Sequence, residues 1–266
     1  MVTNDDISDF IQKIPPTSKI LKETIHLLNI GDLTKAAKIA QEDLALKSYL
    51  KNIVNKPIYG FKNEVNDVSQ IFGILGISQS QQTVYNYMIN LLNPSKWLLF
   101  KLNENSFHEL QAQLSAKWSI ILQHLKIGNK DIHSSIALLP ASIIVTEALF
   151  CKYIDDVNLL RNTKALDYNT ILKRLCKLSL FDICEKISIE WEMDKIIPTI
   201  LQSSSGLIIS DDEEINILGK WMHLLLFYEL SQTTFVEANL NDFIDFQIDY
   251  VEDIYEDFTN IMQMDK

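Results

Sequence analysis

The chain is poor in the residues that bend and cross-link a polypeptide: its 266 residues include seven glycines, six prolines and three cysteines. Sheet proteins need glycine and proline at many turns, so the shortage predicts helices joined by short connections. The cysteines, Cys151, Cys176 and Cys184, are odd in number and show no Cys-x-x-Cys spacing. That pattern argues against a disulfide framework or a zinc knuckle and makes a reducing, cytoplasmic compartment the expectation. Long apolar runs are also scarce. The longest, 136–150, is interrupted by Pro140 and Glu147, short of the about 20 residues of a membrane span, so none is expected. Residues 1–9 are acidic rather than basic and then apolar, so no signal peptide is expected. A surplus of basic charge is missing too. The formal charge is −11, which argues against nucleic-acid binding, since that affinity comes mainly from basic groups on phosphates.

Familiar catalytic signatures are absent as well. There is no Gly-x-x-x-x-Gly-Lys, no Gly-x-Gly-x-x-Gly and no Gly-x-Ser-x-Gly, so neither a phosphate loop nor a hydrolase serine is indicated. The histidines are His26, His108, His124, His133 and His223, with no His-Asp and no His-x-x-x-His. His108-Glu109 opens like a zinc-protease helix, but the second histidine position is Ala112, so that site fails. His124 and His133 flank the Gly128 loop without a carboxylate at defined spacing. That is weak support for a metal site. Cys151 follows an apolar run and reads as core rather than nucleophile. Glu190, Glu192 and Asp194 around Trp191 read as a solvated face. No cofactor is expected.

What the sequence has is hydrophobicity, 47% of residues, arranged at helical spacing. Leu46, Leu50, Ile53 and Val54 mark a helix opened by Asp43 and ending at Asn55, and Val68, Ile71, Phe72 and Leu75 mark another. Asp67 with Gln70, and Ser210 with Glu213, read as N-caps with capping-box partners. The run 215–230 is apolar almost all round from Trp221 to Tyr228, so burial is expected. No convincing strand appears. Loops are expected at 31–32, 55–66, 93–94, 128–130 and 203–206, the last being the one plausible linker. It falls where the charge changes: residues 207–266 carry fourteen acidic and two basic residues, while 1–206 carry 21 and 22.

An ordered series of short motifs carries a family resemblance. Ile14-Pro15-Pro16 precedes short helices. The Asp43 helix is followed by Tyr59-Gly60, and Val65-x-Asp67 leads a helix ending Leu75-Gly76. Then come Lys117-Trp118, Ala137-Leu138-Leu139, Glu190-Trp191-Glu192-Met193 and Ile200. Over residues 9–205 this order resembles the HDOD domain, a bacterial relative of the HD phosphohydrolases. The resemblance implies an all-α, irregular multi-helix bundle over 9–205, followed by an acidic helical extension over 206–266. It marks Tyr59, Gly60, Gly76, Trp118 and Trp191 as structural positions, with positive φ expected at Gly60 and a left-handed C-cap at Gly76. It also implies a signalling or output role, linked to motility or second messengers. In the parent enzymes, His and Asp side chains hold a water-activating divalent metal. Here those positions fall on Ile120, on Pro140-Ala141 and on Ser203-Ser204. The expectation is therefore a non-catalytic module with no metal site.

Two other readings stay open. One is a nucleotide-binding receptor or residual phosphohydrolase, for which the nearby cations are Lys117, Lys126 and Lys130. The other is a structural subunit of a larger assembly. Protein partners of unknown identity are expected in any case. A candidate interaction face is a seam spaced by fours and threes, formed by Leu240, Ile244, Val251, Ile254, Phe258 and Ile261 with Gln247 as its polar member. Read as one helix, it offers a partner-docking or homodimer face. The competing expectation packs it back against 215–230.

Overall fold

The computed structural model describes residues 19–57, 60–243 and 245–262. Tyr59, Ile244 and the Ile14-Pro15-Pro16 motif lie outside the described residues, as does the side chain of Lys130. In chain order the helices are α1 (Lys19–Asn29), α2 (Leu33–Ala40), α3 (Leu44–Val54), α4 (Val68–Leu92), α5 (Glu104–His124), α6 (Lys130–Ser135), α7 (Leu138–Lys152) and α8 (Ile154–Lys164). They continue with α9 (Tyr168–Cys176), α10 (Leu180–Glu190), α11 (Ile196–Ser203), α12 (Glu213–Leu230), α13 (Thr233–Glu237), α14 (Ile248–Val251) and α15 (Tyr255–Met262). Short 3-10 turns cover Asn241–Phe243 and Glu252–Ile254. No strand occurs among the described residues, so the fold is all-α.

The described residues form two compact units: 19–92 with 129–134, and 93–128 with 135–262. Residues 207–262 of the acidic segment fall in the same unit as 93–128 and 135–205.

In the smaller unit, α1, α2 and α3 pack against α4. The core draws on Leu28, Ala36, Ala40, Leu46, Leu50, Ile71 and Phe72, all buried. Asp43 caps α3 as expected, accepting from the amides of Ala45 and Leu46, each at 3.0 Å. Asn55 ends it and exchanges two hydrogen bonds with the Val65 backbone at 2.9 and 2.8 Å, which closes the intervening loop. Asp67 caps α4 through the Gln70 amide at 3.0 Å. That helix is two helices joined at Gly76, whose φ of 70° and ψ of 176° interrupt the ladder. The expected left-handed cap is thus corrected. The backbone takes the glycine-only extended conformation, and a second helix starts at once. Gly60 has a φ of 65°.

In the larger unit, α10 packs on α7 and α11, and α12 on α5 and α11. Trp118 of α5 is fully buried, and Trp191 caps the end of α10 in a buried position. Glu147 of α7 and His223 of α12 are buried as well. The stretch Asp131–Lys152 is long and apolar enough to cross a bilayer by length and composition, yet 89% of its most apolar window is buried inside the protein. The cap of α12 is Asp212, not Ser210. Asp212 accepts from the Glu214 and Ile215 amides, and the Ser210 hydroxyl accepts from the Asp212 amide. Nor are residues 203–206 a free linker, because Ser203 and Ser204 are buried and hydrogen-bonded.

Candidate functional site

The positions at which the resemblance places metal ligands lie in the larger unit. Ile120 sits on α5 with 47% of its surface exposed. Pro140 and Ala141 occupy the first turn of α7 and are buried. Ser203 ends α11, and its hydroxyl donates to Asn216 Oδ1 at 3.2 Å and shares a 2.9 Å contact with the Tyr250 hydroxyl. The Ser204 hydroxyl donates to the Ile200 carbonyl at 2.7 Å. Hydrocarbon side chains have no electron pair for a cation, and the two hydroxyls are already engaged. These residues do not fit a hydrolytic divalent metal. Among the described residues, no group of three or more His, Cys, Asp or Glu is placed to hold one.

His223 stands beside the serines. Its Nδ1 lies 2.9 Å from the Ser204 carbonyl, and its Nε2 3.1 Å from the Gln247 amide. A carbonyl only accepts and an amide N–H only donates, so the ring is neutral with its proton on Nδ1. The ring is stacked between Phe181 and Phe246, at centroid distances of 6.2 and 5.7 Å, with Tyr250 edge-on at 5.9 Å. Burial holds its pKa below the ordinary value, against the opposing pull of the Ser204 hydrogen bond and Asp245. His223 therefore ties α12 to the end of α11 and to the segment after Phe246. Nearby, Gly219 lets the chains approach. A Cβ there would lie 2.6 Å from Ser203 Oγ and 2.7 Å from the Tyr250 hydroxyl.

The candidate nucleophile is quiet. The Cys151 thiol donates to Glu147 Oε1 at 3.3 Å, and burial with that neighbouring carboxylate pushes it up to about 12. His108 and His133 are half-buried, His26 and His124 exposed. Glu190, Glu192 and Asp194 are all exposed. Of the cations near the old ligand positions, Lys117 is paired with Glu229 and lies 4.7 Å from the centre of the Tyr228 ring. Lys126 is exposed.

The seam read over 240–261 does not form one helix. It is broken into the turn at Asn241–Phe243, α14, the turn at Glu252–Ile254, and α15. Leu240, Val251, Ile254 and Phe258 are buried in their own unit, and Ile261 is half-buried. Phe258 packs on Trp221 and Tyr228 of α12, at centroid distances of 5.8 and 5.7 Å. The buried members of that seam pack within their own unit, Phe258 against α12. The like charges along this segment give no support to a continuous helix, whereas burial against α12 is satisfied by short pieces.

Two concavities flank the refolded segment. One, of about 480 Å³, is apolar: Leu224, Phe227, Tyr228, Phe246, Val251 and Phe258 form its walls, with Tyr255, Ile248 and Glu252 also lining it. The other, of about 580 Å³, sets Glu213, Asp249, Asp253 and Asp257 around Trp221 and Tyr250. Its one lysine, Lys220, is paired with Asp253 at 2.6 Å. Neither surface suits a phosphate, which needs cations or clustered amides. The sequence reading missed both, because each depends on how the broken segment folds back.

Comparison with known proteins follows from this geometry. A model of the HDOD domain matches residues 14–205. A solved structure of an HDOD domain protein of unknown function from Geobacter sulfurreducens superposes with a TM-score of 0.59 at 12% identity. The alignment covers 94% of this chain and 91% of that one. At that identity the likeness shows the fold alone. No curated protein matches the chain.

Proposed function

The chain belongs to the HDOD domain family, and from that premise we propose that it is a signal-transduction module that works by binding another protein and catalyses no reaction. The observation that carries this reading is the chemistry at the parent enzymes' ligand positions. A hydrolytic metal site needs histidine and carboxylate donors with room for water. Here two positions are packed hydrocarbon, one is an isoleucine facing solvent, and both serines are bonded inside the protein. The resemblance places such modules in motility or second-messenger circuits, and that assignment rests on resemblance alone.

The test is an assay of purified protein with an activated phosphodiester and with cyclic nucleotides, with manganese, iron or nickel added. The expected rate is that of the blank. Turnover that scales with protein and disappears on chelation would overturn the reading.

A further inference from the structure

We propose that the apolar cavity on α12, together with the acidic ridge beside it, is the docking site for a basic amphipathic helix of another protein. This deepens the reading above and rests on it.

The cavity is built before any partner arrives. Phe246, one of its walls, is stacked on Phe227 at 4.0 Å and on His223 at 5.7 Å, and His223 is itself held at both nitrogens. At about 480 Å³ it is large enough to take several apolar side chains. Ile248 and Tyr255 extend the apolar lining outward and stay 64% and 51% exposed. Large side chains left in water beside an apolar hollow mark an interaction surface rather than a core.

Charge selects the occupant. Glu252 lines the cavity, Glu256 beside it in sequence is exposed, and Asp253 (paired with Lys220) and Asp257 line the adjoining acidic concavity. No lysine or arginine occurs between Lys220 and Lys266. A second copy docked face to face would set acidic ridge against acidic ridge, which like-charge repulsion opposes. Among the described residues lining the cavity, a phosphate-bearing ligand meets no cation. A neutral small molecule fills the cavity and leaves the ridge unused. A helix with apolar residues at i, i+3 or i+4, and i+7, flanked by Lys or Arg, uses both: anchors enter the hollow and cations cover the carboxylates.

The experiment is selection of a random 16-residue peptide library on the full chain, followed by binding measurements on an enriched peptide. The expected peptides are net positive with apolar residues at helical spacing. Ile248→Asp with Tyr255→Asp, both at exposed positions, should weaken binding at least tenfold without moving the melting temperature. Glu252→Lys with Glu256→Lys should do the same and flatten the salt dependence. Acidic or neutral winners, no enrichment, or binding indifferent to these substitutions would each overturn the site. So would self-association of the full chain that the Ile248 and Tyr255 changes abolish. None of these outcomes touches the phosphodiesterase assay, so the site can fail while the non-catalytic reading stands.

Discussion

A carboxylate surrounded by hydrocarbon must find donors or lose its charge. Glu147 finds donors. Its Oε1 accepts from the Leu98 and Leu99 amides at 2.6 and 3.1 Å, and its Oε2 from the Phe100 amide at 3.1 Å. One side chain thus satisfies three consecutive amides and pins the 98–100 segment to α7. Glu147→Ala should cost about 3–5 kcal/mol, because three donors lose their acceptor, the buried Phe100 amide among them. Glu147→Gln should cost less, since its carbonyl still accepts. Urea unfolding of both variants checks the order, and an alanine variant with the wild-type midpoint would refute the cage. His223 makes a second prediction at this scale. Its native pKa is lowered by burial from 6.5, so the unfolded chain binds the proton more tightly. Its contribution is complete above about pH 6.5 and is lost as pH falls towards the lowered native value. One residue can contribute a slope of at most about 1.4 kcal/mol per pH unit. His223→Gln should lose that slope between pH 7 and 5.5, measured by denaturation at each pH. An unchanged slope would place the proton elsewhere.

The two halves of α4 meet at a backbone conformation that only glycine tolerates. No neighbouring atom lies within 4 Å of a Cβ added at Gly76 or at Gly73 three residues earlier. Space is therefore equal at the two sites, and the backbone alone decides. Gly76→Ala, at φ 70°, should destabilise by about 1–3 kcal/mol. Gly73→Ala, in regular helix, should stabilise by about 0.5–1 kcal/mol. Paired melting curves that move in the same direction would contradict this account. The break at Gly76 was legible, because Leu75-Gly76 closes an apolar period, but the helix that starts there was not. Also legible were α3 between Asp43 and Asn55 and the burial of α12. What was not legible depended on tertiary hydrogen bonds or on chain reversal. Residues 203–206 have a linker's composition, but their hydroxyls and carbonyls are used by Asn216, Tyr250 and His223. The apolar spacing over 240–261 fits one helix or several short ones equally well. Signals for two missed residues were present, however: a lone Glu in the run 136–150 and a lone His in a helix apolar all round both require partners when buried.

The acidic C-terminal segment completes the core of the larger unit rather than hanging from it, and this sets what its removal does. Deleting 236–266 strips away Leu240, Phe243, Val251 and Phe258, all buried. It also uncovers Trp221 and His223 on α12. Burying one such apolar side chain is worth about 1.5–3 kcal/mol, against a net stability of about 5–15 kcal/mol for a whole domain. The deletion also removes the partners of Arg161, Lys173 and Lys220, namely Asp242, Asp245 and Asp253. Those pairs are partly exposed and contribute at most about 1 kcal/mol each, so the apolar loss dominates. The truncated chain should aggregate or lose its cooperative transition. Hydrogen-exchange protection should collapse across 93–128 and 135–235. Raising salt to 1 M on the intact chain separates the two contributions. It screens the ion pairs and leaves the buried faces in place, so the melting temperature should move by a few degrees at most. A truncated chain that melts like the intact one would show that the segment is an accessory, and a large salt effect on the intact chain would show that charge, not burial, holds it in place.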